Sequence, residues 1–196
     1  MRAYLRPAVT LLAGLTILTG VAYPALVTGL SQALFPDRAA GSFVMQNGVA
    51  VGSRLIGQSF SDAGHFWGRP SATTPTPYDA AASGGSELGP SNPALSDSFA
   101  ARARQLRAAD PANTAPIPVD LLTASASGLD PDISPAAATY QAPRVARLRR
   151  IAMDTLQQLV ATHTTGRFLG LFGEPRVNVL LLNLALDSAV VARSTR

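Results

Sequence analysis

Polarity divides the first forty residues sharply. From Pro7 to Pro36 no side chain carries a charge, and the most apolar run inside that stretch, Val9 to Leu30, is 22 residues long. At about 1.5 Å per residue a helix of that length covers roughly 33 Å, enough for a hydrocarbon core about 30 Å thick. Ten of its residues are Leu, Ile or Val. They favour insertion by about 3–6 kcal/mol, before Gly14, Gly20, Pro24 and Gly29 reduce the figure. Arg2 and Arg6 precede the run, and the next basic residue is Arg38. The positive-inside rule then predicts a short cytoplasmic end (1–8), a transmembrane helix (9–30) and an extracytoplasmic domain (35–196). Ser31-Gln32-Ala33 has the small residues of a cleavage site. A signal h-region of about 7–15 residues is shorter than this run, however, so a retained anchor is the expectation.

Past the anchor the hydrophobic period changes. Phe43 to Met45 and Val49 to Ile56 flank Asn47-Gly48, the dipeptide that best tolerates a type I′ turn, and predict a hairpin within 41–60. Residues 66–91, rich in Gly, Pro, Ser and Thr, read as ordered or extended loop. Asn92-Pro93 is a cap followed by a proline at the first helical position, and Leu95, Phe99, Arg102 and Leu106 follow at helical spacing, with Arg104 and Arg107 on the wet side. Asp110-Pro111 ends that helix. Ile117 to Leu122 suggests a short strand and Thr123 to Asp132 a polar loop. Ser134-Pro135 opens a second helix, disturbed near Pro143 and reaching about Arg150. A third spans Met153 to His163, with Leu156 and Val160 on one face and Gly166 as its stop. Val177 to Ala189 fits either a helix capped by Asn178 or a strand; its length favours the helix. The expected fold class is α+β: one N-terminal transmembrane helix, then a single extracytoplasmic domain with a small sheet and several helices.

Composition narrows the chemistry. Cysteine is absent, so neither disulfides nor thiolate metal sites contribute. All 16 basic residues are arginine, which excludes a Walker A lysine and Schiff-base catalysis. Outside the anchor 14 Arg face 12 Asp plus Glu, a balance of only +2 and no nucleic-acid footprint. His65 and His163 lie too far apart in sequence to form a ligand-spaced pair.

Several clusters remain as candidates. Ser83-Gly84-Gly85-Ser86 could offer backbone N–H groups and hydroxyls to an anion, or simply be a turn-rich loop packed on its own domain. Asp120, Asp130 and Asp132 could supply oxygens to a hard cation, or shape the entrance to the helix at Ser134. His65 lies upstream of serine-containing loops, but no Gly-x-Ser-x-Gly elbow is present to support a serine hydrolase. Trp67, between Phe66 and Gly68, reads as a packing anchor. Arg144, Arg147, Arg149 and Arg150 crowd one helix end, as a solvated face or as a contact for lipid headgroups or an acidic neighbour. In the anchor, Thr10/Gly14, Thr16/Gly20 and Ala25/Gly29 place small residues four apart, a spacing that lets a partner helix approach.

Six blocks carry a resemblance: Gly52-Ser53-Arg54-Leu55-Ile56-Gly57-Gln58; Phe66-Trp67-Gly68-Arg69-Pro70-Ser71-Ala72; Ala82-Ser83-Gly84-Gly85-Ser86 running into Leu88-Gly89-Pro90-Ser91-Asn92-Pro93; Pro118-Val119-Asp120-Leu121; Ser127-Gly128-Leu129-Asp130-Pro131; and Gly173-Glu174-Pro175-Arg176-Val177-Asn178-Val179-Leu180. In this order, behind a single span, the chain resembles the KdpC family, the C subunit of the Kdp potassium-transporting P-type ATPase. Glu87 stands where that pattern has Asn, Asp132 where it has His, and His65 where it has an aromatic residue. The resemblance implies a non-catalytic accessory subunit in the cell inner membrane, needed for assembly and coupling. Its partners would be a potassium-channel-like subunit, a P-type pump subunit and membrane lipid. It also implies a catalytic-chaperone role that raises the pump subunit's ATP affinity through a ternary complex, with no tightly bound cofactor. The Asp-Lys-Thr-Gly-Thr signature of a pump subunit is absent. With ATP on the cytoplasmic side, a cap over the outer potassium entrance joined to a clamping helix fits the predicted topology best. The competing expectations are an anchored ion- or lipid-binding module and an anchored serine hydrolase.

Overall fold

The computed structural model describes residues 2–194; Met1, Thr195 and Arg196, at the extremes of the expected 1–8 and 35–196 segments, lie outside the described residues. The described chain forms two units, divided after Val51. In the first, α1 (Arg2–Ile17), a π turn (Leu18–Ala22) and α2 (Tyr23–Leu34) run on as one helix past both ends of the expected span. Tyr4–Leu34 is long and apolar enough to cross a membrane, with none of its apolar window buried. The wide turn precedes Pro24, which has no N–H for the Gly20 carbonyl and whose ring crowds it. The Tyr23 N–H reaches back five residues to the Leu18 carbonyl instead. A short α3 (Pro36–Ala39) leads to the hairpin of β1 (Phe43–Gln46) and β2 (Val49–Ser53). Asn47 at φ 52° and Gly48 at φ 80° supply the paired positive φ that the dipeptide predicted.

The second unit packs α4 (Pro93–Ala109), α5 (Pro135–Arg149), α6 (Met153–Thr162) and α7 (Val179–Ser194) with a small antiparallel sheet. Its strands are β3 (Asp132–Ile133), β4 (Thr164–Thr165) and β5 (Arg176–Asn178), in the order β3-β5-β4. Ile133 and Thr164 flank Val177 from either side. The caps fall where the sequence put them. Asn92 accepts from the Ala94 N–H at 3.0 Å, and Ser134 accepts from the Ala137 N–H at 3.0 Å. The C-terminal segment resolves its ambiguity by being both: strand through Asn178, then helix, with Asn178 Oδ1 accepting from the Leu181 N–H at 3.1 Å. The core gathers Phe66, Leu121, Ile133, Val145, Leu156, Val177, Leu182 and Leu186. Leu156 and Val160 are both buried, as their spacing predicted.

Two expectations differ. Ile117–Leu122 is no strand; Val119–Leu121 forms a single 3-10 turn. Pro116 and Pro118 each remove a donor from any ladder there. The helix expected to be disturbed near Pro143 runs unbroken, with Pro143 inside it. Ala137, Ala138 and Tyr140 before the proline and Val145 and Ala146 after it are all buried. Packing on both sides therefore outweighs a missing bond that costs about 3 kcal/mol in an isolated helix.

Candidate functional site

The sequence blocks that lie apart in the chain converge on residues 127–132. The Gly57 N–H donates to the Leu129 carbonyl at 2.8 Å, and Ser71 Oγ to the Gly128 carbonyl at 2.7 Å. The Gly84 N–H (2.9 Å) and Ser83 Oγ (3.0 Å) both donate to the Ser127 carbonyl, and the Val179 N–H to the Pro131 carbonyl at 3.0 Å. Only glycine fits Gly128, at φ +67°, because a Cβ there would lie 2.5 Å from Thr73 Cγ2 and 2.7 Å from the Gly84 carbonyl. Within Ser83-Gly84-Gly85-Ser86, the Ser83 hydroxyl and Gly84 N–H thus face this junction. A Cβ on Gly85 would lie 3.1 Å from the Ala126 carbonyl.

Asp120, Asp130 and Asp132 are brought together and line one cavity of about 320 Å³ with Arg69, Glu174 and Arg176. Each carboxylate has a partner in the chain. Asp120 accepts from the Ser134 N–H at 2.7 Å, at the mouth of α5. Asp130 pairs with Arg69 at 3.0 Å and accepts from the Asp132 N–H at 3.0 Å. Asp132 pairs with Arg176 at 3.0 Å and accepts from Asn178 Nδ2 at 3.3 Å. Burial pushes the Asp132 carboxyl up from its ordinary value, and the Asp130 charge adds to this against Arg176. No group of three or more His, Cys, Asp and Glu able to hold a metal ion occurs among the described residues.

An extended segment of the second unit is held without a sheet. The Phe66 N–H donates to Asn183 Oδ1 at 2.9 Å, and Asn183 Nδ2 donates back to the Phe66 carbonyl at 3.0 Å. Gln141 does the same for Trp67. Two guanidinium groups approach the Trp67 ring, Arg144 at 4.5 Å and Arg102 at 5.7 Å from its centroid. Arg144 is only 2% exposed. It donates to the carbonyls of Ala63 and His65 and to Gln141 Oε1, and burial lowers its pKa to about 10 against the pull of Asp110. Trp67 is thus the expected packing anchor, but Arg144 does not share the wet face expected of its neighbours. Arg147 pairs with Asp110, and Arg149 with Asp187. His65 engages Asp62 at 2.8 Å and Asp187 at 3.2 Å, beside Arg149 and the Phe60 ring. No serine is among these partners.

Sequence reading missed Gln141 and Asn183. Their signal was a polar residue on an apolar helix face: Gln141 lies four from Ala137 and Val145, Asn183 four from Val179 and three from Leu186. In the anchor, Thr10, Gly14, Thr16, Gly20, Ala25 and Gly29 are all exposed, and an added Cβ at any of the three glycines meets nothing within 4 Å. They do not form one stripe: at 100° per residue Thr16/Gly20 lies about 120° round the helix from Thr10/Gly14.

The family model for the K+-transporting ATPase, c chain, matches residues 5–188. A potassium-transporting ATPase KdpC subunit from Variovorax paradoxus is 63% identical over 193 residues, 98% of this chain and 100% of the relative. One from Sorangium cellulosum is 60% identical over 189 residues, 96% of this chain and all of the relative. One from Herpetosiphon aurantiacus is 59% identical over 187 residues, 95% and 97% of the two chains. These matches span the anchor, the hairpin and the 127–132 junction alike, so the chain belongs to the KdpC family, the c chain of the K+-transporting ATPases.

Proposed function

We propose that this chain is an accessory membrane subunit of an ATP-driven potassium pump that performs no chemistry itself. The single observation that carries this reading is the family match over residues 5–188, anchor included. The apolar helix is consistent with it, because all its described side chains in Tyr4–Leu34 lie outside any core and need lipid or partner helices around them. The polar groups of the 127–132 junction bind groups of the chain itself, as in a packed joint. We place the anchor in the cell inner membrane with residues 1–8 in the cytoplasm and the body outside, on the arginine distribution. There the body caps the outer potassium entrance beside a channel-like subunit, and the anchor clamps that subunit to the P-type pump subunit.

We attribute any rise in the pump subunit's ATP affinity to coupling through this clamp rather than to nucleotide held by the Ser83–Ser86 loop. The Ser83 hydroxyl and Gly84 N–H of that loop are turned to Ser127. Protease added to intact spheroplasts carrying the assembled pump tests the placement. Digestion of the body, with the pump still recovered on a tagged anchor, is the expected result. A body cleaved only after lysis, or a chain recovered without pump subunits, overturns the reading.

A further inference from the structure

The ten residues between β4 and β5 form an apolar finger. Phe168, Leu169, Leu171 and Phe172 are between 65% and 75% exposed. The finger is not a loose loop. The Phe168 N–H donates to the Phe172 carbonyl at 2.8 Å and the Phe172 N–H returns to the Phe168 carbonyl at 3.0 Å, with Gly170 N–H on the Arg167 carbonyl and Leu171 N–H on the Phe168 carbonyl. Leu169 at φ 53°, Gly170 at φ 73° and Gly173 at φ 77° make the reversals. These bonds hold the backbone of the tip in a turn, so less ordering remains for binding to impose.

A cavity of about 550 Å³ adjoins it, lined by Ala142, Val160, Ala161 and Thr139 from α5 and α6 and by Gly166 and Pro175, the two ends of the finger. Knob and groove thus share residues and make one continuous face. Charge decides what covers it. Arg167 is paired with Glu174 at 2.8 Å, and Arg176 with Asp132 at 3.0 Å. A lipid-inserting loop draws on free cations to hold anionic headgroups, and both arginines flanking this one are neutralised by carboxylates of the chain. A groove beside the knob is also a feature that a fluid acyl layer does not complement, whereas a folded partner does.

We propose that the finger and groove form a docking face for an uncharged, apolar helix or loop of another subunit of the same pump; this rests on the accessory-subunit reading above. A benzophenone side chain placed at position 169 or 171 of the full chain, in membranes holding the assembled pump, tests it. Illumination should give an adduct with a pump subunit identified by mass, at least about tenfold above that from exposed position 104 on α4. The tip variant L169S/L171S should lower retention of the chain on the pump by at least about tenfold in the same membranes. Adducts with lipid or with a second copy of this chain, or unchanged retention of the variant, overturn the docking face while wild-type chain still co-purifies. Wild-type chain that fails to co-purify at all overturns the accessory-subunit reading and the docking face with it.

Discussion

Trp67 and Gln141, 74 residues apart in sequence, exchange two hydrogen bonds: the Trp67 N–H donates to Gln141 Oε1 at 2.8 Å, and Gln141 Nε2 donates to the Trp67 carbonyl at 3.0 Å. The same pair of bonds links Phe66 to Asn183. Two helix side chains thereby satisfy the backbone of an extended segment that no strand accompanies. Buried peptide groups must find partners, and carboxamides are the side chains that offer a donor and an acceptor together.

Replacing Gln141 with Leu should strand the Trp67 N–H and carbonyl and one Arg144 donor in the core. The expected loss is about 3–9 kcal/mol, since each of the three stranded groups costs about 1–3 kcal/mol. Denaturant unfolding of the detergent-solubilised chain measures it. Gln105, exposed on α4, supplies the control, and its Leu variant should shift the midpoint little. Equal shifts for the two variants would contradict the clamp.

Glu87 occupies the left-handed region at φ 52°, where a Cβ and a long side chain are disfavoured. The Asn that the family resemblance expects at this position tolerates that conformation through its short polar side chain. Changing Glu87 to Asn should therefore stabilise the chain by about 0.5–1 kcal/mol, read as a higher unfolding midpoint. A lower midpoint would show that the carboxylate carries a contact of its own.

Asp132 has its pKa raised by burial and by Asp130. A carboxyl with a folded-state pKa above its unfolded value contributes most below the unfolded value, and that contribution is lost as pH rises through the folded one. The variant D132N carries a neutral carboxamide that imitates the protonated carboxyl at every pH. Stability of the wild-type chain relative to D132N should thus fall as pH climbs from below about 3.8 towards neutrality. A difference that stays flat, or grows with pH, would mean that Arg176 dominates.

Ala25 and Gly29 lie open on α2, and Gly29 has nothing within 4 Å of an added Cβ. Leucine at both positions should leave the helix intact but hold a partner helix away, reducing pump recovered on the tagged chain several-fold. Full recovery would mean that the partner approaches another side, such as that of Thr16 and Gly20.

What could be read in advance was local. Asn92, Ser134 and Asn178 announced their caps, Asn47-Gly48 its turn, and the apolar run its helix, because each depends on the preferences of a few adjacent residues. The strand proposed at Ile117–Leu122 failed because Pro116 and Pro118 forbid the ladder that its apolar residues suggested. The arginines near Arg150 looked alike in sequence. Only packing separates Arg144, buried over Trp67, from Arg147 and Arg149 with their carboxylates.

By itself the sequence determined the apolar anchor, the family and most helix starts, since composition and short-range spacing encode them. The tertiary structure decided which distant groups meet: that the Ser83–Gly84 donors turn onto Ser127, that three aspartates enter one cavity each already partnered, and that Gln141 and Asn183 serve a segment far upstream. These are pairings at long separation in the chain. No local preference specifies them; they follow from how the helices close around the core.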